Sequence, residues 1–124
     1  LPEEKSEEAD RLWREWIEDS IEVVAPTLII FEASSVLRNK VYREILKDEE
    51  AKEIINQLSH LDIVLIYSED LLDIAWGIGA ILKTSVLYDC FYIALSKFLS
   101  IPLWTADKRL YNFAKRNFPL INLL

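Results

Sequence analysis

The sequence predicts an α/β sandwich built around a mostly parallel sheet. Short β-rich runs alternate with longer stretches of helical periodicity, which is the signature of strand–helix–strand units. Two of the runs, residues 63–67 and 101–105, pass through almost unbroken apolar sequence, as strands covered on both faces do. Two glycines and four prolines in 124 residues leave little room for linkers, so the elements must follow one another closely within one domain over residues 1–124.

The elements can be justified in order. Residues 3–19 place Ala9, Leu12, Trp13, Trp16 and Ile17 at helical spacing with acids between them. Residues 21–25 form a β-rich run that Pro26 should stop. Residues 28–42 have the length of a helix, and 46–61 form a clear amphipathic one through Ala51, Ile54, Ile55, Leu58 and Leu61. The strand at 63–67 follows. Ser68 is then the expected N-cap of a helix reaching Leu82. A second, almost wholly apolar helix runs from Ser85 or Val86 to Leu99. Residues 101–105 give a strand, 108–117 a helix and 120–124 a last strand.

Composition narrows the function. With 52% hydrophobic residues the chain can bury a core and is not a disordered segment. Its uninterrupted apolar runs, such as residues 28–31, fall far short of the ~20 needed to span a bilayer, so no membrane partner is expected. A single cysteine, Cys90, cannot form an internal disulfide, and with no signal peptide recognised the expected location is the cytoplasm. A chain without methionine is also expected to lack the front of its translation product. The net charge of −7 argues against broad electrostatic binding of nucleic acid. It is uneven, however. Residues 1–22 carry a net −6, whereas from Lys97 onward five bases face one acid. A local basic site on the C-terminal part is therefore allowed.

Three carboxylates interrupt sequence that otherwise builds core. Glu32 breaks Leu28-Ile29-Ile30-Phe31-Glu32-Ala33, Asp89 lies within an apolar helix, and Asp107 follows the strand at 101–105. The carboxyl ends of strands are where open α/β sheets place ligands. A buried, unpaired carboxylate costs several kcal/mol, so each acid is expected to have a partner, and Arg38, Lys108 and Arg109 are too few to serve all three. A shared hard cation would satisfy them, with Mg2+ the natural candidate for an all-oxygen set. One His (His60) and one Cys cannot build a zinc site. Each acid has a plainer reading as a helix cap or an ion-pair member.

The residues resemble a known family. Phe31-Glu32-Ala33, then Ser85…Tyr88-Asp89…Tyr92-Ile93-Ala94-Leu95, then Trp104-Thr105-Ala106-Asp107-Lys108-Arg109-Leu110 look like the acidic motifs of the PIN domain, more narrowly of VapC-type toxins of prokaryotic toxin–antitoxin pairs. The resemblance implies a three-layer α/β/α sandwich and a Mg2+- or Mn2+-dependent endoribonuclease restrained by a cognate antitoxin. It assigns Glu32, Asp89 and Asp107 to the second, third and fourth acidic positions, as metal ligands. Thr105 matches the hydroxyl residue that helps to position the attacking water. The family's first acid ends a strand that precedes a segment like Leu1-Pro2-Glu3-Glu4, so an N-terminally incomplete domain is expected, with a central strand and its Asp ahead of Leu1.

Lys108, Arg109 and Arg38 are expected to steer the RNA backbone. Trp13 and Trp16 read first as core, and second as a homodimer or antitoxin contact, since interfaces favour aromatic pairs. Gly77-Ile78-Gly79 lacks the third glycine of a dinucleotide loop and falls in a helical pattern. His60 reads as a partner for the end of a helix. The rival functional readings are a catalytically inactive PIN-like interaction module and a receiver-like phospho-acceptor domain; the second lacks the paired acids after a first strand that it needs.

Overall fold

A computed structural model describes residues 6–124. Its elements are α1 (Ser6–Glu18), β1 (Val23–Pro26), α2 (Leu28–Tyr42), α3 (Asp48–Ser59), β2 (Ile63–Ile66), α4 (Glu69–Leu82), α5 (Tyr88–Leu99), β3 (Leu103–Thr105), α6 (Lys108–Ala114) and β4 (Ile121–Leu123). The class is α/β, as the alternation predicts. Each expected element is present: α2 has the expected bounds, β1 runs one residue past its expected end, and the other ends differ by at most three residues, with residues 3–5 of the first helix lying outside the described residues. The elements fall into two compact units. One is Val23–Ile66; the other joins Leu1–Glu22 to Tyr67–Leu124.

In the Val23–Ile66 unit, β1 and β2 run parallel with Val23 opposite Ile63 and Pro26 opposite Ile66. The crossover between them holds α2 and α3. Pro26 does not stop the strand; it occupies its last rung, and the Thr27 N–H donates to the Ile66 carbonyl at 3.3 Å just beyond. A proline lacks a ladder donor, so the end of an edge strand is where it is tolerated. Ala25, Leu37 and Ala51 are the buried apolar residues here. The expectation that residues 63–67 are covered on both faces fails for this strand. Val64 is 42% exposed and Leu65 39%, and among the described residues β2 pairs only with β1, in a two-stranded ladder.

In the second unit, β3 and β4 are also parallel, with Leu103 opposite Ile121 and Thr105 opposite Leu123, and α6 forms the crossover. Its core is the contact of α4 with α5. Leu71, Ala75, Ile78 and Leu82 from one helix and Cys90, Ile93, Ala94 and Leu95 from the other are all buried. Ser68 caps α4 as predicted, accepting the Asp70 N–H at 3.2 Å. Both helices end on left-handed residues, Lys83 (φ 53°) and Ser100 (φ 55°). After each, the next N–H closes the turn, Thr84 onto Gly79 and Ile101 onto Ser96. The buried Ser96 hydroxyl donates to the Ile101 carbonyl, which ties the end of α5 to the approach of β3. Trp16 meets Trp13 edge-on at 6.3 Å and Trp104 of β3 at 6.5 Å between ring centroids. The half-buried Trp13 and Trp16 are therefore partly core, in line with the first reading of that pair.

The two glycines of α4 differ in kind. A Cβ on Gly77 would meet nothing within 4 Å, whereas one on Gly79 would stand 2.8 Å from Leu87 Cδ2. Gly79 thus permits the close approach of α4 to the start of α5. Replacing an unhindered mid-helix glycine by alanine gains about 0.5–1 kcal/mol. Gly77→Ala is expected to raise stability by about that amount. Gly79→Ala should gain less, because the end of the Leu87 side chain must shift first. Urea unfolding of both variants checks the ranking; equal gains would rule out the packing role of Gly79.

Candidate functional site

The best-defined part of the site is the junction of β3 with α6. Thr105 is the last strand residue, held by the Leu124 N–H on its carbonyl at 2.9 Å. Asp107 follows with extended backbone (φ −81°, ψ 99°) and caps α6, its Oδ1 accepting the Leu110 N–H at 3.0 Å. The Asp107 N–H in turn donates to Thr105 Oγ1 at 3.0 Å. Aspartate is among the best N-caps because its short carboxylate reaches an otherwise unpaired helix donor. The local sequence therefore fixes a hydroxyl and a carboxylate together at the carboxyl end of a parallel strand. The cap uses one carboxylate oxygen, and Oδ2 stays available to a ligand. Thr105 Oγ1 accepts from Asp107, so its own proton remains free to be donated.

Asp89 is the second residue of α5 and is exposed. A negative charge in the first turn is favoured by the helix macrodipole. Its neighbour Cys90 is 1% exposed and part of the α4–α5 core. Burial pushes the Cys90 thiol above its ordinary pKa, and the Asp89 charge adds to that shift. Glu32 is half-buried on α2, in the Val23–Ile66 unit, whereas Thr105, Asp89 and Asp107 belong to the other. The premise that all three acids are buried is corrected for Asp89 and Asp107. Each sits at a helix start, where backbone N–H groups and the helix dipole stabilise a carboxylate near water, so neither carries the desolvation cost that their apolar neighbours suggest.

The structure draws Thr105 and Asp107 into direct contact. Among the described residues no group of three or more His, Cys, Asp or Glu forms a ready-made cation site. The chemistry of the donors nevertheless suits a hard cation. His60 is engaged at the end of α3, with Nδ1 2.7 Å from the Asn56 carbonyl, and Cys90 is buried, so the candidate ligands are oxygens. Sequence reading missed two neighbours of the junction. Asn112 and Phe113 line one shallow surface depression with Lys108 and Arg109. Phe113 is 56% exposed, although an aromatic residue in a short helix reads as core. Its i, i+4 spacing from Arg109 was the available signal.

Two outcomes follow from this geometry. Asp107→Ala is expected to cost about 1 kcal/mol of stability through loss of the cap, and Asp107→Asn almost nothing, since asparagine caps equally well. Thermal unfolding separates the two, and a destabilised Asp107→Asn would mean that the charge rather than the cap holds α6. Cys90 should resist alkylation by iodoacetamide at pH 8 in the folded protein and react readily in denaturant, because reaction requires the exposed thiolate. Fast labelling without denaturant would contradict its burial.

The chain is similar to known proteins. A family model described as PIN domain matches residues 4–116. Over 87 residues the chain is 31% identical to Ribonuclease VapC1 of Mycobacterium tuberculosis strain CDC 1551 / Oshkosh, and to the protein of that name from strain ATCC 25618 / H37Rv. The match takes in 69% of this chain and 63% of each relative, so the chain spans a little under two-thirds of their length. The extent of the family match shows that this chain belongs to the PIN domain family.

Proposed function

We propose that the protein is a Mg2+- or Mn2+-dependent endoribonuclease of the VapC type, acting in the cytoplasm as the toxin of a toxin–antitoxin pair. The observation that carries this reading is the Thr105–Asp107 pair, a hydroxyl and a carboxylate locked together at the carboxyl end of β3. The likeness to ribonucleases named VapC1 supports it. Residues 1–124 act as one PIN-like domain of three-layer α/β/α form. Its partners are RNA, a cognate antitoxin and a second copy in a homodimer. No helix among the described residues is long and apolar enough to cross a membrane.

Glu32, Asp89 and Asp107 would hold the divalent cation. When bound, such an ion neutralises charge on a phosphodiester and lowers the pKa of water. The remaining roles belong to the chain. Thr105, with its oxygen engaged by the Asp107 N–H, donates its proton outward and orients the attacking water. Asp107 keeps that hydroxyl in place while its Oδ2 faces the ligand. Asp89 contributes a negative charge placed in the first turn of α5, where the helix dipole favours it.

The test is cleavage of a labelled single-stranded RNA by the intact protein in Mn2+ or Mg2+, against the same protein in EDTA. Wild type should cut in the metal and not in EDTA. Asp89→Asn should cut ~100-fold slower or worse, the scale on which loss of one charged group at a reacting centre is felt. Equal rates for wild type and Asp89→Asn would sink the reading.

A further inference from the structure

The outer face of α6 presents a grouping that the carboxylate site does not use. Lys108 and Arg109 open the helix and Asn112 and Phe113 lie one turn on, so helical spacing puts all four on adjoining faces. They line one open depression, and each is exposed. Among the described residues neither cation is in an ion pair. Lys115 differs: its Nζ stands 5.3 Å over the Tyr111 ring and 3.4 Å from Asn112 Oδ1. The face thus offers two uncommitted cations, one amide and one exposed aromatic ring. It lies in a strongly basic stretch, four bases and no acid over residues 108–116, of a chain whose net charge is −7.

We infer that this face of α6 is the single-stranded RNA platform of the enzyme, with Phe113 stacking on a base and Lys108 and Arg109 on the adjoining phosphates. The inference rests on the ribonuclease reading for its substrate. Charge complementarity selects the occupant. A local net positive patch on an acidic protein attracts a polyanion, and a ring more than half exposed among cations is the arrangement that binds unpaired bases without regard to sequence. Paired bases would leave Phe113 no open ring face to meet, so the strand must be single. Position agrees as well. Phe113 lies ~9 Å of helical rise beyond Asp107, near enough for one strand to touch both. Asn112, between the cations and the ring, can donate or accept at a base edge.

The test is the affinity of the intact protein for a short fluorescein-labelled single-stranded RNA in EDTA, where no cleavage interferes. Phe113→Ala should bind ~5- to 150-fold more weakly with its salt dependence unchanged, the range expected for loss of one stacked base. Phe113→Trp should bind as tightly as wild type, with added indole emission that RNA quenches. Arg109→Gln should weaken binding and lower the slope of log affinity against log salt by about 0.7. Wild-type affinity in Phe113→Ala, or no binding by the wild type, overturns the proposal. So does loss of a protein partner in Phe113→Ala with RNA binding intact. The two readings fail separately. Binding through Phe113 without cleavage in Mn2+ refutes the ribonuclease alone, and cleavage with an unchanged KM in Phe113→Ala refutes the platform alone.

Discussion

The close packing of α4 on α5 is the contact on which the geometry of the Tyr67–Leu124 segment depends. Ala75, Leu71 and Ile78 of α4 and Ala94, Ile93 and Leu95 of α5 are all buried, and Gly79 leaves room for the Leu87 side chain just ahead of α5. Interiors are packed as densely as organic crystals, so a contact of this kind has a unique depth and register. Asp89 stands on the outer side of α5, one residue from the buried Cys90, and the seating of Cys90 fixes where that carboxylate emerges. The other end of α5 is tied to the approach of β3 by the Ser96 hydroxyl on the Ile101 carbonyl. A helix held at both ends sets the start of the strand that leads to Thr105 and Asp107.

Asp107 meets two demands with one side chain. As a cap it removes an unpaired donor from α6, and as a carboxylate at a strand end it offers an oxygen to a ligand. The demands do not conflict, because the cap takes Oδ1 alone. Acidic positions at active sites commonly reduce stability through mutual repulsion and desolvation. Placing Asp89 in a first turn and Asp107 at an N-cap lessens both costs, since the helix termini supply positive potential that does not depend on any counter-ion.

What could be read from the sequence follows from where the determining physics lies. The helices were legible because their periodicity, the Ser68 cap and the length of the apolar stripes are local properties. The Thr105–Asp107 pair was legible as a motif, and the plainer reading of Asp107 as a helix cap holds, whereas the reading of it as an expensive buried charge does not, since it is exposed. The cause is general: apolar neighbours in sequence report the burial of a helix, not of its first turn. Residues 63–67 misled in a similar way. Their unbroken apolar character describes what the strand can pack against, whereas Val64 and Leu65 are exposed in what is, among the described residues, a ladder of two strands. Phe113 was harder to place, because its i, i+4 spacing from Arg109 puts the two on one face of α6 and only the fold shows that this face is exposed.

The distribution of charge acquires a reason from the fold. The acids of α1 lie on a solvated amphipathic helix, well away in sequence from the basic residues of α6, and the two halves of the charge need not cancel locally. Beyond roughly a Debye length of ~8–10 Å, exposed charges are largely screened. A polyanion approaching α6 therefore feels Lys108, Arg109 and their basic neighbours far more than the total of −7. Acidity elsewhere then need not oppose the proposed role of this face, because it lies on other parts of the sequence. A whole-chain isoelectric point is accordingly a poor guide to substrate here: the sign that matters is the one within reach of Asp107, and there it is positive.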